Sequence, residues 1–261
     1  MNDLASSYTY EELVAAVRAV GVKENDILFC HSNVGFLGVP EGLKDRQAIL
    51  ELILSAIQDV IGEEGTLVVP TFTYSFGKNE IFDVDSSVSN CGAFSEFIRM
   101  HPSAFRSNDP SVSVAAIGRK AQDLTKNIPQ DAYSEDSVFG RLVKQRVRIF
   151  NINFDAGTTL LHYLEKQCQV SYRFDKTFHG EKMEDGCLVQ SASTLWVRDM
   201  DLEGSDANFD AFNRYVSNAA LYKRCSVGRG SIGSISIEDV EQAFNLLYQQ
   251  DAWFLTDRYT K

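Results

Sequence analysis

Two short apolar runs, DILFCH at residues 26–31 and TLVVP at 66–70, with ILELILSAIQDVIG at 49–62 between them, decide the fold class. Each run has the length and composition of a buried strand. Ile49, Leu52, Ile53, Ala56, Ile57 and Val60 recur at i, i+3, i+4 and i+7, the apolar face of a helix that Gly62 closes. Strands joined by a helical crossover pair in parallel, with right-handed connections. The expectation is therefore an α/β protein with a central, largely parallel sheet flanked by helices.

Working outward, Thr9-Tyr10-Glu11-Glu12 is a capping box, and it predicts a helix running to Val20 and ending at Gly21. Toward the C-terminus the pattern predicts helices over 93–100, 137–144 and 158–168, with strands at 112–117 and 147–153. After Tyr172 the texture becomes β-rich. Residues 172–175 and 195–198 read as strands joined by polar turns, followed by a helix over 208–222, short strands at 224–230 and 231–237, and a last helix at 238–249. Trp253-Phe254-Leu255 should dock on the core. No repeat or linker divides the chain, so residues 1–261 are expected to form one domain, with 172–237 as a β-rich subdomain.

Composition narrows the classes. Of 261 residues, 44% are apolar and 23% charged, as in an ordinary globular protein. No run reaches the roughly 18 apolar residues of a membrane span. The first residues, MNDLASSYTYEEL, have neither the basic nor the apolar region of a secretory signal. Five cysteines form no CxxC pair, and their odd number speaks against a disulfide framework and for a cytoplasmic location. A net charge of −11 repels phosphate backbones and excludes nucleic acid as the expected partner, while suiting a cationic acceptor such as an amine.

The richest stretch for chemistry is residues 151–165, a strand, a turn with Asp155 and Gly157, and a helix opened by Thr158 and Thr159. On that helix His162 and Glu165 are three apart and share a face. An imidazole oriented by a carboxylate can take the proton that an ammonium must lose before it becomes a nucleophile. Spacing alone also fits a core histidine beside a solvated glutamate. The threonines are placed to cap the helix, with Asp155 near its positive end. A second cluster, His31-Ser32-Asn33, follows the first strand, at the carboxyl end where α/β sheets place ligands, although turn hydrogen bonds would explain it equally. His31, His101, His162 and His179 show neither HxH nor HExxH spacing, so no metal is expected. Cys30 points to the other side of its strand from His31 and reads as a small buried hydrophobe.

Five segments in order resemble the aminoglycoside 3-N-acetyltransferase-like (antibiotic N-acetyltransferase) family over roughly residues 8–260. They are His31-Ser32-Asn33 with Gly35 and Gly38; residues 65–73 (GTLVVPTFT); residues 106–118 (RSNDPSVSVAAIG); residues 136–142 (DSVFGRL); and Asp155, Thr158, Leu161, His162 and Glu165. The resemblance implies an acetyl-CoA donor and direct attack of a substrate amine on the thioester. It also implies Asp155, His162 and Glu165 at the catalytic centre. The coenzyme A contacts it implies are His31, Ser32, Asn33, Ser113 and Ser137, with Thr71, Asp109, Tyr172 and Arg173 toward the acceptor. Tyr172 and Arg173 would floor a sugar pocket, with Arg173 facing a carboxylate or phosphate, although a surface hairpin with ordinary charges fits these residues equally.

Two departures separate this chain from the family pattern. Asp109 stands where the family has histidine before Pro110, and residues 127–135 lack the histidine found ahead of the family's Ser-Pro-Leu turn. These losses argue against a drug-modifying enzyme proper. They resemble members found in surface-polysaccharide biosynthesis, which implies an amino sugar, free or nucleotide-linked, as acceptor. The rival readings are a catalytically degraded sugar- or CoA-binding protein on the same scaffold, and a thioesterase or hydrolase, for which no activated nucleophile is visible. The β-rich tail offers surface for a homodimer.

Overall fold

The capping box at the start of the chain closes as its spacing requires: Thr9 Oγ1 accepts from the Glu12 N–H at 3.1 Å, and Glu12 accepts from the Thr9 N–H at 2.9 Å. This computed structural model describes residues 7–259, so the reading of residues 1–6 lies outside the described residues. A two-residue strand β1 (Ser7–Tyr8) leads into α1 (Tyr10–Ala19), which ends where Gly21 takes a φ of +91°. Next come β2 (Ile27–Ser32), the short β3 (Val39–Pro40) beside β1, and α2 (Arg46–Ile61), capped by Asp45. β4 (Thr66–Pro70) pairs in parallel with β2, Leu28 opposite Leu67, as the strand–helix–strand spacing predicts.

The middle of the chain supplies α3 (Ala93–Arg99), β5 (Phe105–Arg106), β6 (Val114–Gly118), α4 (Ala121–Thr125), α5 (Val138–Lys144) and β7 (Arg148–Ile152). Then follow α6 (Leu160–Gln167), β8 (Arg173–Glu184), β9 (Cys187–Arg198), α7 (Asp210–Asn218), β10 (Lys223–Val227), β11 (Gly230–Ser236) and α8 (Ile237–Gln250). Seven strands form one sheet in the order β10-β11-β7-β2-β4-β6-β5. Its centre, β7-β2-β4, is parallel, and antiparallel strands complete it on both sides. The β10–β11 hairpin therefore extends the central sheet. β8 and β9 form a separate two-stranded ribbon. The ribbon is continuous where the sequence suggested separate short strands, because Asp185-Gly186 supplies a two-residue turn with positive φ at both positions.

Alternation along β2 divides the core. Leu28 and Cys30 face a cluster with α1, α2 and α3, whereas Ile27 and Phe29 face one with α4, α5, α6, α7 and α8. The sheet is thus covered on both faces, which is why its strands read as continuous apolar runs. Phe29 is fully buried, and its truncation to alanine would cost about 3–5 kcal/mol. Phe254 and Leu255 dock in the same layer. No helix among the described residues is long and apolar enough to cross a membrane, and all five cysteines are free thiols.

Candidate active site

Because β2, β4 and β7 run parallel, their carboxyl ends emerge at one edge of the sheet and deliver His31, Thr71 and Asn153 there. The loop after β7 turns into α6, whose first turn carries His162. Its Nδ1 lies 2.6 Å from Glu165 Oε2, and the glutamate side chain is completely buried. A carboxylate only accepts, so Nδ1 carries the proton and Nε2 keeps its lone pair. Among the described residues no hydrogen bond engages Nε2. Phe209 and Tyr133 flank the ring, with centroids at 5.8 and 6.3 Å.

Glu165 is held from behind. Tyr172 donates its phenol to Oε1 at 2.7 Å, and Arg173 Nε pairs with Oε2 at 2.9 Å. Burial pushes this carboxyl upward, but the His162 ring, Arg173 and Tyr172 outweigh it and hold Glu165 below the ordinary glutamate range. Tyr172 and Arg173, expected at the floor of a sugar pocket, here hold Glu165. Tyr172 is buried against Trp253, and the remaining Arg173 bond goes to the Trp196 carbonyl. Both position the glutamate.

His31 is a different imidazole. Asn151 donates through Nδ2 to the carbonyls of Asp155 and Gly157, so its Oδ1, 3.2 Å from His31 Nδ1, must accept. That fixes the proton on Nδ1 and turns Nε2 toward the Thr159 hydroxyl at 3.3 Å and the Thr159 N–H at 3.5 Å. Burial outweighs the Asn151 bond and lowers His31 to about 4, so the ring is neutral at pH 7. Thr159 therefore serves His31 and does not cap α6 through its side chain, contrary to the sequence expectation. Cys30 is buried in the opposite core, and burial raises its thiol far above the ordinary range.

A cleft of about 370 Å³ opens beside these groups, lined by His31, Phe154, Asp155, Thr158, Phe209 and Asn213 among others. Gly157 lets the Phe209 ring pack close to the loop after β7, since a Cβ there would come within 2.8 Å of that ring. Asp155 lines the cleft but makes no hydrogen bond to His162. It is exposed and ion-paired with Arg224. Asn213 was invisible to sequence reasoning, because a lone asparagine in a helical stretch carries no signal.

Of the expected coenzyme A contacts, the structure brings His31, Ser32 and Asn33 to the sheet edge. Ser32 Oγ is buried without a partner, and Asn33 is exposed. The other two hydroxyls have structural partners. Ser137 caps α5, accepting from the Gly140 N–H and donating to the Ser134 carbonyl. Ser113 and Thr71 are completely buried and bond each other at 3.0 Å. Arg106, which the sequence did not single out as functional, donates to both hydroxyls and to the carbonyls of Thr71, Val84 and Ser87. Burial lowers this guanidinium to about 10. In this structure Thr71, Ser113 and Ser137, expected as ligand contacts, engage their hydroxyls in bonds within the protein.

Asp109 is buried, and its Oδ1 accepts from the Ser111 and Val112 N–H groups. Burial raises its carboxyl despite these bonds. It lines a separate polar cavity of about 290 Å³ with Asn108, Lys182 and Ser193. Among the described residues no group of three or more His, Cys, Asp or Glu could hold a metal ion.

Residues 30–248 match the family model described as aminoglycoside 3-N-acetyltransferase. The chain is 27% identical to aminoglycoside N(3)-acetyltransferase VII of Streptomyces paromomycinus, over 89% of this chain and 88% of that one. With aminoglycoside N(3)-acetyltransferase III of Pseudomonas aeruginosa it shares 26% identity over 80% of each. Among solved structures, AAC-IIIb in its binary form with CoASH superimposes with a TM-score of 0.81 at 18% identity, covering 98% of this chain and 100% of that one. AAC-VIa bound to sisomicin gives 0.77 at 21% identity, covering 94% and 98%.

Proposed function

The chain belongs to the aminoglycoside 3-N-acetyltransferase family and is by that membership an acetyl-CoA-dependent N-acetyltransferase, and we propose that its acceptor is the amine of an amino sugar, free or nucleotide-linked. The observation that carries the reading is the His162–Glu165 pair, whose carboxylate is buried and locked and whose imidazole keeps Nε2 open beside a cleft. In this reading His162 Nε2 takes a proton from the substrate ammonium. The nitrogen lone pair then forms the N–C bond to the thioester carbonyl. Collapse of the tetrahedral adduct breaks the C–S bond, the sulfur leaves with the proton held by the imidazolium, and the second N–H proton passes to the freed imidazole and on to solvent, leaving the neutral amide. Glu165 stabilises that imidazolium and keeps the tautomer productive.

The structure supports no catalytic proton transfer by Asp155, whose carboxylate faces Arg224. Ser32 and Asn33 remain our proposed contacts for the pantetheine arm, because the Ser32 hydroxyl has bonding capacity left. We take residues 1–261 as one acyltransferase domain working in the cytoplasm, a location consistent with five free thiols. A thiol-release assay with acetyl-CoA tests the acceptor, using amino sugars, their nucleotide-linked forms and an aminoglycoside. Release that depends on an amino sugar supports the proposal. Release with simple alkylamines at equal efficiency would remove the sugar from it.

A further inference from the structure

On α6, Glu165 and Lys166 lie three and four positions after His162, both as its neighbours on the helix surface. The lysine side chain is only 10% exposed. Its ammonium lies 2.6 Å from Asp131 Oδ2, 2.6 Å from Asp175 Oδ1, and over the Trp196 ring at 5.6 Å. Burial works against its charge, but the bonds to Asp131 and Asp175 outweigh it and raise this lysine above its ordinary range.

Each of the two carboxylates leads to one half of the His162–Glu165 pair. Asp131 lies in the segment before α5, where Gln130 and Ala132 exchange backbone bonds with Thr194 of β9 at 3.0 Å. With Oδ2 on Lys166, Asp131 uses Oδ1 to accept the Tyr133 N–H at 3.0 Å. Tyr133 stacks on Phe139 and meets the His162 ring edge-on, at 86°. This arm sets the wall against which the imidazole rests. Asp175 lies on β8, two residues after Arg173, whose guanidinium holds Glu165. It pairs with Trp196 across the ribbon, and the Trp196 carbonyl takes the other Arg173 bond. This arm sets the anchor of the carboxylate.

We infer that Lys166 is a positioning residue for N-acetyl transfer: one ammonium ties α6 to the segment carrying Tyr133 and to the strand carrying Arg173, and so fixes the imidazole against its glutamate. The inference rests on the proposed role of His162 and Glu165 as the base. Among the described residues no hydrogen bond joins the ammonium to either of them, so its effect passes through Asp131 and Asp175. The two aspartates are 34% and 50% exposed, so removing the ammonium leaves no buried charge unpaired and the fold should survive.

The test compares thiol-release kinetics of wild type, Lys166→Met, Lys166→Arg and the double variant Asp131→Asn/Asp175→Asn, with melts to show that each folds. Lys166→Met should lower kcat about ten- to a hundredfold, the scale of a misplacement of up to about 1 Å, and leave KM for acetyl-CoA unchanged. Lys166→Arg keeps a cation between the two carboxylates and should recover most of the loss, whereas the double variant should reproduce it. If Lys166→Met does not fold, Asp131→Asn and Asp175→Asn carry the same test singly, each with a smaller loss. In a His162→Ala background, Lys166→Met should cost no more than a factor of about two. A wild-type kcat in Lys166→Met, no recovery in Lys166→Arg, or an equal proportional loss in the His162→Ala background overturns the inference. If His162→Ala itself turns over at the wild-type rate, the base reading fails and not the clamp. The His162 Nδ1–H signal in NMR reads the clamp alone: it should be present in wild type and lost in Lys166→Met, and its persistence there overturns the inference.

Discussion

Two histidines stand at the same end of the sheet, His31 lining the cleft and His162 packed behind its Phe209 wall, and their surroundings give them opposite capacities. His31, at the end of β2, has both ring nitrogens engaged, by Asn151 and by Thr159. Burial keeps it neutral, and it ties the strand to the first turn of α6. His162, on that first turn, uses one nitrogen on a buried glutamate and leaves the other open. Proximity to a cleft therefore does not make an imidazole a base. What matters is whether a carboxylate stands behind it to stabilise its charge and whether the far nitrogen is unoccupied.

The largest expected effect tests this contrast. His162→Ala should lower amine-dependent thiol release by roughly two to four powers of ten with coenzyme A affinity intact. His31→Gln should cost a factor of about ten or less, the worth of one neutral hydrogen bond. Similar losses in the two variants would erase the distinction.

The glutamate gives a stability effect. Glu165→Ala leaves the buried Arg173 without its anion, and thermal or denaturant melts should show a loss of about 3–5 kcal/mol. A loss below about 1 kcal/mol would mean that solvent, and not Glu165, compensates Arg173.

The pH dependence sharpens the picture of His31. In the unfolded chain its imidazole takes a proton near 6.5, whereas the folded ring does so only near 4. Between those values the unfolded state holds the extra proton. Stability is therefore complete above about pH 6.5 and falls as pH drops toward 4, by at most about 3 kcal/mol. The depressed Glu165 carboxyl acts in the same direction, but its contribution is lost only below the ordinary glutamate range, at the acid end of this window. Denaturant melts across pH 4–7 should show the slope in wild type and a flatter curve for His31→Gln. Equal slopes would contradict a buried neutral His31.

Much of this was legible in the sequence. The strand–helix–strand stretch gave the parallel centre of the sheet, because periodicity reports burial on both faces. Helical spacing put His162 and Glu165 on one face but fitted a core histidine equally, and only the ordered family motifs singled the pair out. The environment of Glu165 was not, since Tyr172 and Arg173 reach it only through the turn from α6 into β8. Thr71 and Ser113 stand as ligand contacts in the sequence only because the family resemblance implies it. Arg106, half-buried on the edge strand β5, donates to both hydroxyls. Asn213 was illegible for a similar reason: its meaning depends on a cleft assembled from α6, α7 and the loop between β7 and α6.

The central claim is that His162 and Glu165 act as one unit, and a double-mutant cycle on thiol-release turnover tests it most directly. Glu165→Gln is compared in the wild-type and His162→Ala backgrounds, at saturating acetyl-CoA and acceptor. If the glutamate works through the imidazole, Glu165→Gln slows the wild type but costs His162→Ala no more than a factor of about two. An equal proportional loss in both backgrounds would show that Glu165 acts independently of His162, and the account of the base would be wrong.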